Sequence, residues 1–290
     1  MIRFYIYIVA IFLPLSSYTT EYHSSLDNDY SSYSFGGIGL IETPTARFAD
    51  DGELVFGSSS QAPYNRVYAK MQFFPWMETV LKYTEDTTGA YSEGSEQTVK
   101  DKGLDAKFKL LNEIESGINL AVGFNDLGGT GDFSSEYIVA SKRIRNFDYT
   151  IGLGWGRLGG IDHFSNLLTL IDKDRDEEGR AGKRGGGRIS LDRFFSGKNT
   201  SIFGGIEYFT PFENLSLKIE YDSSDYSRDI GKEIDFRNPV NDIFEQDSRF
   251  NFALNYRLFM GDRDKVDFTL GLVRGNTFYA NFAVHSNLNY

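Results

Sequence analysis

Three histidines, His23, His163 and His285, are the natural proton carriers of this 290-residue sequence, and His285 stands directly before Ser286. A serine next to a base is the raw material of nucleophilic catalysis. Both residues, however, fall near the end of an alternating stretch from Thr277 to Ser286. Neighbours in a strand point to opposite faces, so the two cannot pair with each other. Asp172, Asp174, Asp176, Glu177 and Glu178 have the density of a calcium loop. The EF-hand pattern requires glycine at the sixth position, which here is Glu177, and Arg175, Arg180, Lys183, Arg184 and Arg188 are at hand to neutralise the cluster. Gly128-Gly129-Thr130-Gly131 lacks the following Lys-Ser/Thr and the helix of a phosphate loop, and Gly185-Gly186-Gly187 reads as loop. The sequence contains no cysteine, which excludes disulfides and thiolate chemistry. These patterns assign no catalytic residue, no metal site and no cofactor.

The elements that would carry such residues are strands. Gly103 to Leu110 sets Leu104, Ala106, Phe108 and Leu110 against Asp105, Lys107 and Lys109; Gly117 to Leu127 sets Ile118, Leu120, Val122 and Phe124 against Asn119, Ala121, Gly123 and Asn125. Tyr149 to Gly156 repeats the pattern, with Tyr149, Ile151, Leu153 and Trp155 opposite Thr150, Gly152, Gly154 and Gly156. One face is apolar and the other small or polar, with the period of two of a strand. From Gly52 onward the chain holds about twelve such segments, each near the length that a tilted strand needs to cross a bilayer. Long connections, Glu85 to Lys102, Gly159 to Asn199 and Ser223 to Ser248, follow odd-numbered segments only. The even-numbered ones are followed by short turns, as in barrels with short periplasmic turns and long outer loops. Aromatic residues at segment ends, Trp76, Tyr83, Trp155, Tyr208 and Tyr221, suit interfacial girdles. A soluble double sheet alternates too. The combination of strand length, loop parity and export signal favours an all-β, antiparallel transmembrane β-barrel of about twelve strands.

Residues 1–20 carry Arg3, an apolar run from Phe4 to Leu15 and then small polar residues, the make-up of a signal peptide. Residues 21–51 form a polar lead-in that passes into the irregular segment Phe35 to Asp51, and residues 52–290 form the barrel. Irregular backbone is too costly in lipid. That segment is therefore expected inside the barrel as a plug, with a periplasmic collar as the alternative. The net charge of −11 argues against nucleic acid as a partner. Lys70, Glu78, Lys82, Asp105, Lys107, Glu207, Lys218, Glu220 and Arg257 are expected to face the lumen. Twelve strands lie between the sizes that fill with side chains and those that hold open water, so the pattern leaves the state of the pore open.

Gly39-Leu40-Ile41-Glu42-Thr43-Pro44-Thr45-Ala46-Arg47, then Asp50-Asp51-Gly52, Pro63-Tyr64 with Arg66, and Gln72 with Pro75-Trp76 and Glu78 resemble the opening of the YjbH family of exopolysaccharide-associated outer-membrane proteins. Asp101-Lys102-Gly103, Ser135-Glu136-Tyr137, Gly154-Trp155-Gly156 and Phe203-Gly204-Gly205-Ile206-Glu207-Tyr208 continue the resemblance in order. It covers Phe35 to the C-terminus and corresponds to the N-terminal half of the usually longer members. The resemblance implies an outer-membrane barrel that takes part in making or exporting an extracellular polysaccharide, such as capsule or biofilm matrix, beside a dedicated export machinery. Contacts to sugar are then expected from Tyr68 and Phe74 on the second strand and from the lumen charges Lys70, Glu207, Lys218 and Arg257. Two other readings are a general diffusion porin, which needs an open lumen, and a lipid-modifying enzyme, which needs His285 at the lipid face.

Overall fold

A computed structural model describes residues 30–90, 96–129, 131–173, 194–226, 246–261 and 264–288. The expected signal peptide, most of the acidic run after Asp172 and the Gly185–Gly187 triplet lie outside the described residues. The strands are β1 (Glu53–Gln61), β2 (Tyr64–Phe74), β3 (Met77–Ala90), β4 (Thr98–Leu111), β5 (Asn119–Asn125), β6 (Ser135–Ile144), β7 (Phe147–Gly156), β8 (Phe164–Ser165), β9 (Asn199–Phe209), β10 (Leu215–Tyr221), β11 (Phe250–Phe259), β12 (Lys265–Val273) and β13 (Thr277–Asn287). β8 is a two-residue ribbon on β9. The other twelve pair antiparallel in sequence order, and β13 pairs with β1 from Glu53↔Asn287 to Gln61↔Tyr279, which closes the ring.

Closure leaves no open edge around the ring, so the backbone of the wall is paired strand to strand. The alternation follows the sequence: Phe56, Leu81, Ile151, Ile219, Phe252, Leu254, Leu270 and Phe282 are exposed on the outside, whereas Lys70, Lys107, Lys218, Glu220, Arg257 and Asp267 are buried inside. An even-stranded ring that is apolar outside and polar within is a transmembrane barrel of the outer-membrane type. Among the described residues no helix is long and apolar enough to cross a membrane. The chain enters β1 and leaves β13 at the end that carries the short turns, which is the periplasmic side. One of those turns holds the short helix α1 (Glu113–Ser116), whose N-cap Asn112 accepts from the Ile114 N–H and whose C-terminal Gly117 is left-handed, φ +80°.

Three details differ from the expected layout. The connection Glu85 to Lys102 is not a loop throughout, because β3 and β4 go on pairing beyond the band as a hairpin, Glu85↔Lys100 and Asp86↔Val99. Trp155 is not an interfacial anchor: it is buried beneath the outer loop, where its indole N–H donates to Asn166 Oδ1 at 3.0 Å and its ring meets Phe195 edge-on at 5.0 Å. Phe74, expected to face the lumen, points outward. A register shift between Gln72 and Phe74 places it opposite Met77 on the outer face, where it stacks on Trp76 at 5.2 Å. The extra residue of a bulge reverses the facing of everything beyond it.

Candidate functional site

The interior is occupied by the chain's own residues 30–49. Tyr30 sits at the periplasmic end, donates its hydroxyl to Glu53 and receives Lys265 Nζ on its carbonyl at 2.7 Å. The chain then climbs along β13 and β1, with Asn281 Nδ2 donating to Ser32 O at 2.7 Å and Ser59 Oγ to Ser34 O at 2.7 Å. It reverses at Gly36, whose φ of +95° suits glycine and whose missing side chain admits the Tyr68 ring. Phe35, just before this reversal, packs with Tyr33, Tyr64, Val99 and Phe133. The Arg66 guanidinium lies 4.3 Å above its ring. Cations over aromatic faces are favourable in such a desolvated place.

The descending limb is held mainly by two side chains of β10. Lys218 Nζ uses its three hydrogens on Ser31 Oγ at 2.6 Å, Gly39 O at 2.9 Å and Leu40 O at 2.8 Å. Glu220 accepts from the amides of Ile41 at 2.9 Å, Glu42 at 3.0 Å and Thr43 at 2.9 Å, and from the Thr43 hydroxyl at 2.7 Å. The tight turn from Leu40 to Thr43, closed by the Leu40 amide on Thr43 O at 2.9 Å, aims these donors at one carboxylate. Asn251 Nδ2 steadies the carboxylate from β11 at 2.9 Å. Below this turn, Lys107 Nζ donates to Arg47 O at 2.8 Å and pairs with Glu78 at 3.0 Å. The Ala46 amide donates to Ser141 Oγ at 2.9 Å. Arg47 ends the limb with a fork on Asp148 and a bond to Glu113 of α1. Burial alone would lower its pKa, but Asp148 and Glu113 outweigh that and raise it.

The remaining lumen charges neutralise one another. Lys70 pairs with Glu53 at 2.8 Å, Lys82 with Asp105, and Arg257 with Glu207, which also accepts from Ser216 Oγ at 2.6 Å. His285 does not face lipid. It is fully buried inside, Nε2 at 2.6 Å from Asp267 Oδ2 and Nδ1 at 3.2 Å from Glu53 Oε1, because it shares the inward set of β13 with Tyr279, Asn281 and Ala283. Just above the outer end of β5, Asp126 is pushed up to about 7 by burial, reinforced by Asp101 and Asp105 and opposed by Lys82. Its amide donates to Asp105 Oδ1 at 2.6 Å.

Of the residues expected to contact sugar, Tyr68, Lys70, Glu207, Lys218 and Arg257 line the lumen, and Phe74 does not. They do not form one cluster: Tyr68 donates to Asn281 at 2.7 Å on one side, and Glu207 and Arg257 pair on the other. Glu220 was recognisable as a lumen charge from the alternation of β10, but nothing local marks it as the seat of a turn 177 residues away. Arg47 and His285 likewise acquire their roles only through partners distant in sequence. Among the described residues no group of three or more His, Cys, Asp or Glu could hold a metal.

The sequence is 37% identical over 286 residues to "Uncharacterized lipoprotein YjbH" of Escherichia coli (strain K12), covering 97% of this chain and 38% of that one. The chain thus spans well under half of that relative's length. Solved structures with a similar course include the KdgM porin in complex with disordered oligogalacturonate, 9% identical with a TM-score of 0.41 over 82% of this chain and 99% of that one. A second is Omp33 of Acinetobacter baumannii, 9% identical with a TM-score of 0.35 over 81% of this chain and 97% of that one. The family described as "Exopolysaccharide biosynthesis protein YbjH" matches residues 31–290, and this outer-membrane barrel belongs to that YjbH family.

Proposed function

We propose that the protein is a non-enzymatic, gated element of exopolysaccharide export, a conduit or accessory that works beside a dedicated export machinery on a polysaccharide of the capsule or biofilm-matrix kind. The observation that carries this reading is the seating of residues 30–49 on Lys218 and Glu220, which occupies the inside of the twelve-stranded barrel with its own chain. A segment held by hydrogen bonds rather than by a covalent link can move, whereas a general diffusion porin needs a lumen that stands open. The lipid-modifying alternative loses its support with His285 buried between two carboxylates inside the wall.

The test is deletion of the gene in its host and restoration of this 290-residue form, with polysaccharide quantified at the cell surface and in the periplasm. Loss from the surface on deletion, with recovery on restoration, is the expected result. Unchanged polysaccharide on deletion would overturn the export role.

A further inference from the structure

We infer that Lys218 and Glu220 form a subsite for a neutral, hydroxyl-rich sugar unit, and that the turn from Gly39 to Thr43 occupies this subsite as an internal competitor. This rests on the export reading above and gives it a location. The two side chains sit two residues apart on the inward face of β10, so their heads lie side by side along the lumen wall. Toward the turn, one head donates only, to two carbonyls; the other accepts only, from three amides and a hydroxyl. The turn therefore presents donors and acceptors within a few ångströms of each other. A pyranose does the same, since each hydroxyl donates to a carboxylate or accepts from an ammonium.

Energetics explain why displacement needs a replacement. Pulling the turn away leaves the buried Lys218 ammonium with Ser31 Oγ and the buried Glu220 carboxylate with Asn251 Nδ2, each short of most of its partners, a state far costlier than the net value of the bonds themselves. Water or sugar hydroxyls must take over each bond as the turn leaves. A sugar supplies several of them on one rigid ring, which lowers the entropy lost per bond. Leu40 adds a steric element: a Cβ on Gly205 would stand 2.8 Å from Leu40 Cδ1, so the small residue of β9 leaves space that the turn now fills. Asn251, which braces Glu220 from outside the turn, remains in place when the turn departs.

The experiment uses maltohexaose as a neutral hexose probe and two preparations of the full chain. In the parent protein, hydrogen exchange is followed at the Ile41, Glu42 and Thr43 amides, which Glu220 protects. Millimolar maltohexaose is expected to accelerate it, and a disulfide staple made by Ala46→Cys with Ser141→Cys should abolish that acceleration until it is reduced. In the second preparation residues 39–45 are replaced by a Gly-Ser linker, so that the subsite is vacant and plug stability no longer intervenes. Maltohexaose should then block ion current through the barrel in planar bilayers. Lys218→Met or Glu220→Gln should raise the half-blocking concentration about tenfold, as loss of a hydrogen bond to a charged group does.

Blockade unaffected by either substitution, no blockade of a conducting linker variant, or amide exchange indifferent to the probe would each overturn the subsite. A sugar-binding barrel in cells whose polysaccharide is unchanged on gene deletion keeps the subsite and removes the export role. Loss of surface polysaccharide with a barrel that ignores maltohexaose does the reverse, so the two failures are distinguishable.

Discussion

Arg47 grips Asp148 with two parallel hydrogen bonds, Nε to Oδ2 at 2.8 Å and Nη2 to Oδ1 at 2.7 Å, and so bolts the end of the internal segment to the wall strand β7. Its remaining nitrogen reaches Glu113 at 2.5 Å, in the turn that faces the periplasm. The internal segment is thereby tied to a turn at the periplasmic surface of the barrel.

Removal of this fork should loosen the lower limb without disturbing Lys218 or Glu220. Arg47→Ala is expected to cost about 2 kcal/mol of local stability. Arg47→Lys should recover only part of it, because an ammonium cannot reproduce a planar fork. Amide exchange across residues 38–49 reads both variants, and full protection in Arg47→Lys would show that charge alone holds the limb.

At the top of the segment, Gly36 has no room for a side chain. An added Cβ would stand 2.4 Å from Tyr68 Cγ, on backbone with φ +95°. Gly36→Ala should therefore unseat the reversal at a cost of about 1 to 3 kcal/mol. Greater protease sensitivity of residues 33–38 and a higher conductance are the expected signs. Tyr68→Ala in the same chain should relieve the clash but not the backbone strain.

Deletion of Phe35 to Asp51 takes away most of the segment that packs the lumen. The reconstituted barrel is expected to conduct more than the parent, and unchanged conductance would count against a plugging role for the segment.

Asp126, just past the last residue of β5, supplies a pH test. Its carboxyl is held at about 7 in the folded protein, against about 3.9 when unfolded. Between those values the native state binds the extra proton, so this group's contribution makes stability fall as pH rises from about 4 to 7. Asp126→Asn should flatten that slope, seen as a smaller shift in urea midpoint between pH 5 and pH 8 for barrels in vesicles. An identical shift in both proteins would remove Asp126 as its source.

The two faces of a single strand should respond unequally to substitution. Leu254 is half exposed on the outer face of β11, and Leu254→Arg is expected to cost about 2 to 4 kcal/mol in vesicle unfolding. On the inner face, Asn255→Ala removes the bonds of Nδ2 to Thr269 Oγ1 at 2.8 Å and Phe268 O at 3.3 Å, a loss of about 1 to 2 kcal/mol.

The wall was legible in the residues because its information is local. Alternation with period two assigns Leu215, Leu217 and Ile219 to lipid and Ser216, Lys218 and Glu220 to the lumen without knowledge of any partner strand. The parity of loop lengths likewise orients the barrel. The irregular segment from Phe35 to Asp51 could be recognised as something that cannot lie in lipid, since exposed backbone is unaffordable there.

What the tertiary structure alone decided depends on contacts remote in sequence. The bulge beside Phe74 arises from the pairing of β2 with β3, and it turns an expected lumen residue outward. Trp155 lost its place in the girdle when Asn166 and Phe195 folded over it. Only the closed ring brings Glu220 to the amides of Ile41, Glu42 and Thr43, and Glu53 to His285 across the β13–β1 pair. Away from the bulge at Phe74, the sequence by itself thus determined which wall side chains enter the lumen. Which of them meet there was decided by strand register and by the path of residues 30–49, because a hydrogen bond depends on position in space and not on distance along the chain.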